Sequence, residues 1–471
     1  MGSAVSEKAT PSENGRLTAS DRLGRYWRLG LDIVRDLLRG DGDKQRTQRT
    51  ALLAFAIRVG SAAVAYLSQV FLARWMGSHE YGIFVFVWVW VLILGGLSSL
   101  GLNTSLIRFI PEYKELGHFN KLRGVISSSV LITLLSSTIV ALLGLVGLYF
   151  FSDLMQGYYV LPAYLALVCI PLYALTDVSD SMCRAKSWIL LGLVPPYILR
   201  PLLILVCMLG AYLYGMPMEA TTAVGAAIIA TWVAGLGQIF FLQCRLSKDV
   251  PTGEKEYDLG FWFKVSLPIL LINGSEVMLQ NTDVVVISHY MSPTDVAIYF
   301  AALKTMSLIS FVHYAVGTAV GNRFSALKAS GAEDELKAFI RQSVHWTFWP
   351  SLASAVVILA LGWPLLYLFG EEFTAGYPVM FVLALGFIVR ASMGPAEFFL
   401  NMLGQHRRCA AIFFTSAGFN LVLNIFLVKY YGLMGAAIAT SASMMLAAWM
   451  FYNVAKRYLD VEIAIWKHIR G

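Results

Sequence analysis

Twelve apolar segments, each long enough to cross about 30 Å of hydrocarbon at about 1.5 Å per helical residue, leave this chain few ways to fold. They run approximately over 50–73, 82–107, 122–151, 160–183, 189–214 and 219–244, and then over 261–290, 297–325, 339–369, 376–403, 407–430 and 432–456. A spanning backbone in lipid must satisfy its own hydrogen bonds, and segments of this length do so as helices. The expectation is an all-α integral membrane protein with twelve transmembrane helices. Composition agrees: 58% of residues are hydrophobic and 14% charged, against about 45–50% and about 25% in a soluble domain.

A polar linker at 247–260 divides the segments six and six. Residues 50–246 then form an N-terminal six-helix lobe and 261–458 a C-terminal one, with tails at 1–49 and 459–471. An internal repeat supports the division. The stretch Val70–Phe86, V-F-L-A-R-W-M-G-S-H-E-Y-G-I-F-V-F, returns at Val285–Ala301 as V-V-I-S-H-Y-M-S-P-T-D-V-A-I-Y-F-A. Setting Met76 on Met291 puts Glu80 on Asp295 and Ile83 on Ile298, and the same shift of 215 carries Arg108 onto Arg323. Doubling of this kind is a known way to build a transporter from two pseudo-symmetric lobes.

The net charge of +7 does not point to nucleic acid, because the basic residues border the apolar runs on alternate sides. With the N-terminus cytoplasmic, thirty of the 36 Lys and Arg fall in inside segments and two, Arg74 and Lys429, outside. The other four lie within the spans. Both termini are therefore expected to be cytoplasmic. Residues 1–49 lack the apolar core of a signal peptide. Within them, Leu23, Trp27, Leu31, Val34 and Leu38 recur at helical spacing among five arginines, which fits a basic amphipathic helix at 21–39 on an anionic membrane face or a solvated tail helix. The inside connections at 108–123 and 323–341 read as matching short surface helices.

The four intramembrane cations are Arg58, Arg200, Lys304 and Arg390. A cation exposed to lipid costs about 2.5–3.5 kcal/mol on insertion scales, so each should face a watery interior or a buried acid. Convergence on one cavity from both halves would suit an anionic cargo such as a pyrophosphate head group, since guanidinium forks match phosphate oxygens in pairs. For Lys304 the alternative is a hairpin ion pair with Asp283, taking Pro293 as the centre of the turn. Glu276, deep in the seventh span, could exchange a proton during transport or bridge to one of the arginines. Asp177 and Asp180 with Glu397 form a second acidic group, either an inner gate with Arg184 or Arg407 or simple interfacial charges. Asn420 and Asn424, with Ser416 in line, make a polar stripe that either lines the cavity or bonds a neighbouring helix. The five cysteines have no C-x-x-C spacing and read as buried thiols. Enzyme signatures are absent: no Gly-x-Ser-x-Gly, P-loop or His-Glu-x-x-His occurs, and the outside loops are too short for a sugar polymerase site.

The turn Leu72-Ala73-Arg74-x-x-Gly77-x-x-Glu80-Tyr81-Gly82, the helix ending in Arg108, the following Glu112, and the run Ser266-Leu267-Pro268 that opens the second half together resemble the polysaccharide flippases. These belong to the superfamily that includes multidrug and toxin exporters (MATE) and the lipid II flippase. The resemblance covers essentially all of 50–458. It implies a V-shaped, MATE-like pair of six-helix lobes around a cationic cavity in an inner membrane. It further implies export of a polyprenyl-diphosphate-linked oligosaccharide by alternating access, driven by H+ or Na+ with no bound cofactor, alongside glycosyltransferase and polymerase partners. The basic tail at 1–49 departs from the compact N-termini of that family. A drug exporter of the same superfamily is the first rival reading, and a membrane polymerase or ligase the second.

Overall fold

The structure is a computed structural model that describes residues 43–459 and 462–467. Met1–Ala56 and Ile57–Gly471 are two compact units. In the first, 43–56 have helical backbone, and the amphipathic helix expected at 21–39 lies outside the described residues. The second unit is built of helices and turns, with no strand among the described residues. Its helices are α1 (Ile57–Ser98), α2 (Leu102–Glu115), α3 (Phe119–Phe151), α4 (Gly157–Leu167), α5 (Ile170–Ala185), α6 (Ile189–Val194), α7 (Arg200–Leu213) and α8 (Ala220–Asp249). The second half comprises α9 (Leu259–Tyr290), α10 (Pro293–Ser307), α11 (Ser310–Ala329), α12 (Glu333–Ala360), α13 (Gly362–Tyr367), α14 (Tyr377–Ala391), α15 (Ala396–Met402) and α16 (His406–Leu459).

Among the described residues nine helices are long and apolar enough to cross a membrane, and α4 with α5, bent by 50°, makes a tenth span. Two of the nine are too long for one crossing. The 42 residues of α1 would extend about 63 Å, twice the hydrocarbon thickness, and the helix breaks at Gly77, where φ is 78°. The α16 helix breaks likewise at Gly432, with φ 55°. A side chain would strain both positions. Counting each broken helix as two crossings gives the twelve expected from the sequence, six in each half.

The internal repeat is visible as matched turns. In the second half Ser292 and Asp295 form a capping box, in which the Ser292 hydroxyl accepts from the Asp295 N–H at 3.3 Å and the Asp295 carboxylate from the Ser292 N–H at 3.1 Å. Glu80, the counterpart of Asp295, instead accepts from the N–H of Ala220 at 2.8 Å and so caps α8. One repeated acid position thus satisfies the open donors of two different helix starts.

Four spans are broken, and the breaks come in repeat-related pairs. The second span ends at Ser98 and restarts as α2 beyond Leu100 and Gly101, both with positive φ; the eighth breaks between α10 and α11. The fourth breaks between α4 and α5, and the tenth between α14 and α15. The runs 82–107 and 297–325 are therefore not single helices. The separate surface helices expected at 108–123 and 323–341 are not formed either, because Arg108 and Arg323 ride on α2 and α11, which begin inside the apolar runs.

The linker 250–258 is held to the first half. Arg123 donates to the carbonyls of Pro251 at 2.7 Å and Glu254 at 2.8 Å and also contacts Asn120, while Lys121 lies 3.4 Å from Glu256. Arg123→Ala removes all three of the Arg123 contacts. Trypsin cleavage after Lys255 in the folded protein is expected to rise severalfold while the melting temperature stays within a degree or so, since exposed contacts contribute little to global stability.

Candidate functional site

The four intramembrane cations line one cavity of about 630 Å³. Arg58 reaches it from the first span and Arg200 from the start of α7, just after a π-helical turn at Pro195–Leu199. Lys304 comes from α10 and Arg390 from the last turn of α14. Each half thus supplies two positive charges.

The cations differ in their partners. Arg58 lies over the rings of Tyr197 at 4.5 Å and Tyr314 at 5.6 Å, and Arg200 over Tyr173 at 5.1 Å and Trp88 at 5.6 Å. Lys304 stands 4.9 Å from the Phe300 ring. Among the described residues no carboxylate lies within ion-pair distance of these three, whereas Arg184 has Asp180 and Arg390 has Glu397. Aromatic faces return about 0.5–2 kcal/mol per cation, less than the roughly 2.5–3.5 kcal/mol that placing the charge in a membrane costs. The site therefore retains positive charge that its own residues leave unneutralised.

Arg390 departs from the expectation of a free cavity cation. It donates to Glu397 at 2.8 Å, and His313 lies 3.3 Å from the other oxygen of that carboxylate. The cause is the broken tenth span. On one straight helix residues seven apart would be separated by about 10.5 Å along the axis, but the turn between α14 and α15 folds Glu397 back onto Arg390. Glu397 is consequently not part of an inner gate with Arg407 or Arg184. It borders a smaller cavity of about 230 Å³ that shares Arg390 and Glu276 with the larger one.

The expected Asp283–Lys304 pair is not formed. Asp283 is buried and accepts from Tyr299 at 2.7 Å, Thr440 at 2.5 Å and Asn424 at 2.8 Å. The turn is centred on Met291 and Ser292 rather than Pro293, which puts Tyr299, and not Lys304, at the depth of Asp283. Asn420 and Asn424 are fully buried rather than cavity-lining; Asn424 donates to Asp283 and to the Asn420 side-chain oxygen at 3.1 Å. Thr440, Tyr299 and the aromatic partners of the arginines escape sequence reasoning, because an aromatic or a threonine inside an apolar run carries no signal of its own. Asp283→Ala would remove the acceptor shared by three buried donors; Asn424 keeps Asn420 and the Tyr299 and Thr440 hydroxyls can pair at 3.3 Å, but a donor left unsatisfied costs about 1–3 kcal/mol. Scanning fluorimetry of the purified protein should show a fall of several degrees, partly restored in Asp283→Asn, which keeps one acceptor.

Glu276 faces both cavities and accepts from Gln280 at 3.3 Å; among the described residues it bridges to no arginine. Asp180 pairs with Arg184 at 3.1 Å and Asp177 accepts from Asn103 at 2.7 Å, and neither borders the larger cavity. All five cysteines are free thiols, and Cys244 is exposed rather than buried.

Above the cavity the halves meet at the end carrying the turns at Gly77 and Ser292. Arg74 donates to the carbonyls of Leu368 at 2.7 Å and Tyr367 at 2.5 Å, Ser78 bonds Glu372, and Gly82 packs on the Pro293 backbone. A second seam joins α2 to α9 through Ser105 and Ser266 at 2.7 Å and through Trp262, whose indole N–H donates to Tyr113 at 2.9 Å.

Comparison with known proteins places this geometry in a family. A model described as "Polysaccharide biosynthesis protein" matches residues 49–328, more than half of the chain, and one described as "MatE" matches 268–426. A protein of Shigella flexneri provisionally named an O-antigen transporter is 25% identical over 414 residues, covering 84% of this chain and 95% of its own. A Haloferax volcanii protein provisionally named the low-salt glycan biosynthesis flippase Agl15 is 22% identical over 405 residues, covering 84% and 80%. Among solved structures, an inward-facing multidrug resistance MATE transporter of the MOP superfamily superposes with a TM-score of 0.70 at 13% identity, covering 86% of this chain and 98% of that one. The chain is a multi-pass membrane protein of MATE-like fold, and it belongs to the polysaccharide biosynthesis protein family.

Proposed function

We propose that the protein is a flippase that carries a polyprenyl-diphosphate-linked oligosaccharide across an inner membrane, from the cytoplasmic to the outer leaflet. The observation that carries this reading is the cavity lined by cations from both halves, three of them without a carboxylate partner among the described residues. A diphosphate brings the negative charge that Arg58, Arg200 and Lys304 lack; the rings of Trp88, Tyr173, Tyr197 and Tyr314 hold both guanidinium groups in place, and those of Trp88, Tyr197 and Tyr314 border the cavity, where they can meet sugars. The names of the two relatives, O-antigen transporter and glycan flippase, point the same way.

Transport by alternating access would open and close the seam at Arg74, Ser78 and Gly82. Coupling to H+ or Na+ falls to the carboxylates that border the cavity, Glu276 and Asp283; Asp283 already sits among neutral oxygen donors, and the buried side-chain oxygen of Asn424 has no partner among the described residues. The distribution of Lys and Arg supports a cytoplasmic position for both termini. Glycosyltransferases would supply the cargo there, and a polymerase would consume it on the other side. An exporter of cationic drugs is disfavoured by charge, since among the described residues four basic but two acidic ones border the cavity.

The test is complementation in a strain that lacks its own exporter of lipid-linked repeat units, across a panel of repeat-unit chemistries. Surface polysaccharide should return for at least one member. Failure with every member, with the protein present in the membrane and drug resistance raised, would favour the exporter.

A further inference from the structure

A second cavity, of about 740 Å³ and lined almost entirely by apolar side chains, lies between the halves at the end that carries the Gly77 and Ser292 turns. Residues 86–94 of α1 with α3 and α4 form one wall, and the last turns of α9 with Leu421 and Ile425 of α16 form the other. Trp90, Phe151, Leu421 and Ile425 are exposed at its mouth, so in a membrane it opens onto lipid. The α1 helix separates it from the cationic cavity: Phe84 and Trp88 face the charged side, Phe86 and Trp90 the apolar one.

Two observations indicate what fills it. Tyr159, 3% exposed, lines the cavity two residues from the start of α4, and its hydroxyl has no hydrogen-bond partner among the described residues. A buried phenol of this kind normally has one. From Tyr159 the lining descends along α4 to Leu167, eight residues or about 12 Å, within the roughly 15 Å of hydrocarbon in one leaflet.

We infer that this groove binds an acyl chain of a membrane phospholipid from the leaflet at that end, with the Tyr159 hydroxyl donating to the lipid's ester carbonyl. Gln156 and His289 complete a polar rim. Among the described residues no lysine or arginine lines the groove, so a diphosphate head meets no cation from them there, and an ordinary phospholipid fits better than the lipid-linked cargo. Because both halves contribute walls, the bound chain favours the arrangement in which they meet at this end. The inference does not depend on the identity of the cargo.

The test uses the full chain in nanodiscs of phosphatidylethanolamine and phosphatidylglycerol, doped with a phospholipid that carries a photoactivatable diazirine on its acyl chain, and maps adducts by peptide mass spectrometry. Labelling at 144–159 and 285–290 should exceed that at the exposed Val206 and Leu209 of α7 at least about fivefold. Gly147→Phe, at a position where an added Cβ meets nothing within 4 Å, should bring it down to the α7 level, and Tyr159→Phe should lower it severalfold in a protein whose packing is otherwise intact. Equal labelling of groove and α7, or labelling indifferent to both substitutions, overturns the inference. Displacement by polyprenyl diphosphate but not by unlabelled phospholipid overturns it in favour of a cargo tail.

Discussion

Arg200→Ala, compared at matched membrane abundance, should reduce export of the lipid-linked cargo at least about 30-fold, with Arg58→Ala close behind. Truncating one partner of a desolvated, hydrogen-bonded charge pair costs about 2–5 kcal/mol, and the lower figure corresponds to about 30-fold in affinity. The protein itself should be no less stable, and this separates the prediction from a structural role: Arg200 has aromatic neighbours but, among the described residues, no ion pair to lose. Arg200→Lys is expected to recover only part of the activity, because an ammonium keeps the charge but neither stacks flat on Tyr173 nor presents a fork to phosphate oxygens. Arg390→Ala should behave differently. Its removal leaves Glu397 with His313 but no arginine, so export and thermal stability should fall together. Export is read as surface polysaccharide in the complemented strain, and stability by scanning fluorimetry of the purified variants.

Gly82→Val should be the most damaging single change outside the cavity. A Cβ at Gly82 would overlap the carbonyl of Pro293, which belongs to the other half, and no side-chain rotation relieves a clash with backbone. Overpacking costs about 1–3 kcal/mol, equivalent to a shift of about 5- to 150-fold in the balance between closed and open arrangements of this seam. Spin labels at positions 79 and 375 should therefore report a longer mean distance in Gly82→Val, and export should fall even though the cavity residues are unchanged. The clash acts only where the halves meet, so the purified variant should stay folded. An unchanged distance distribution would show that the seam tolerates the extra bulk and that Gly82 has no part in gating.

Much of this was legible in the sequence, and the misses share a cause. Span number, the doubled halves and the four intramembrane cations follow from hydropathy and from charges that are costly in lipid, both properties of residues taken along the chain. Convergence of Arg58, Arg200, Lys304 and Arg390 could be anticipated because a lone cation in an apolar run has few tolerable places to point. Their partners could not, because partner choice depends on where a helix breaks. Treating 376–403 as one straight span hides the contact between Arg390 and Glu397 that the turn before α15 creates. Placing the hairpin centre on Pro293 instead of between Met291 and Ser292 shifts the matched depth by three residues, enough to replace Tyr299 with Lys304 as the neighbour of Asp283. The stripe of Asn420 and Asn424 was visible, but the direction it faces was not. Helical spacing fixes which residues share a face and leaves open what that face meets.

The most direct test is transbilayer movement in proteoliposomes that contain the purified protein and a fluorescent polyprenyl-diphosphate oligosaccharide, with a membrane-impermeant quencher reporting which leaflet holds the probe. The native protein should move the diphosphate-linked probe, should leave a polyprenyl-linked sugar without phosphate where it is, and should lose activity in the Arg58→Ala, Arg200→Ala double variant. Equal movement of the charged and uncharged probes, or full activity in the double variant, would contradict the assignment of the cationic cavity as the site that carries the diphosphate.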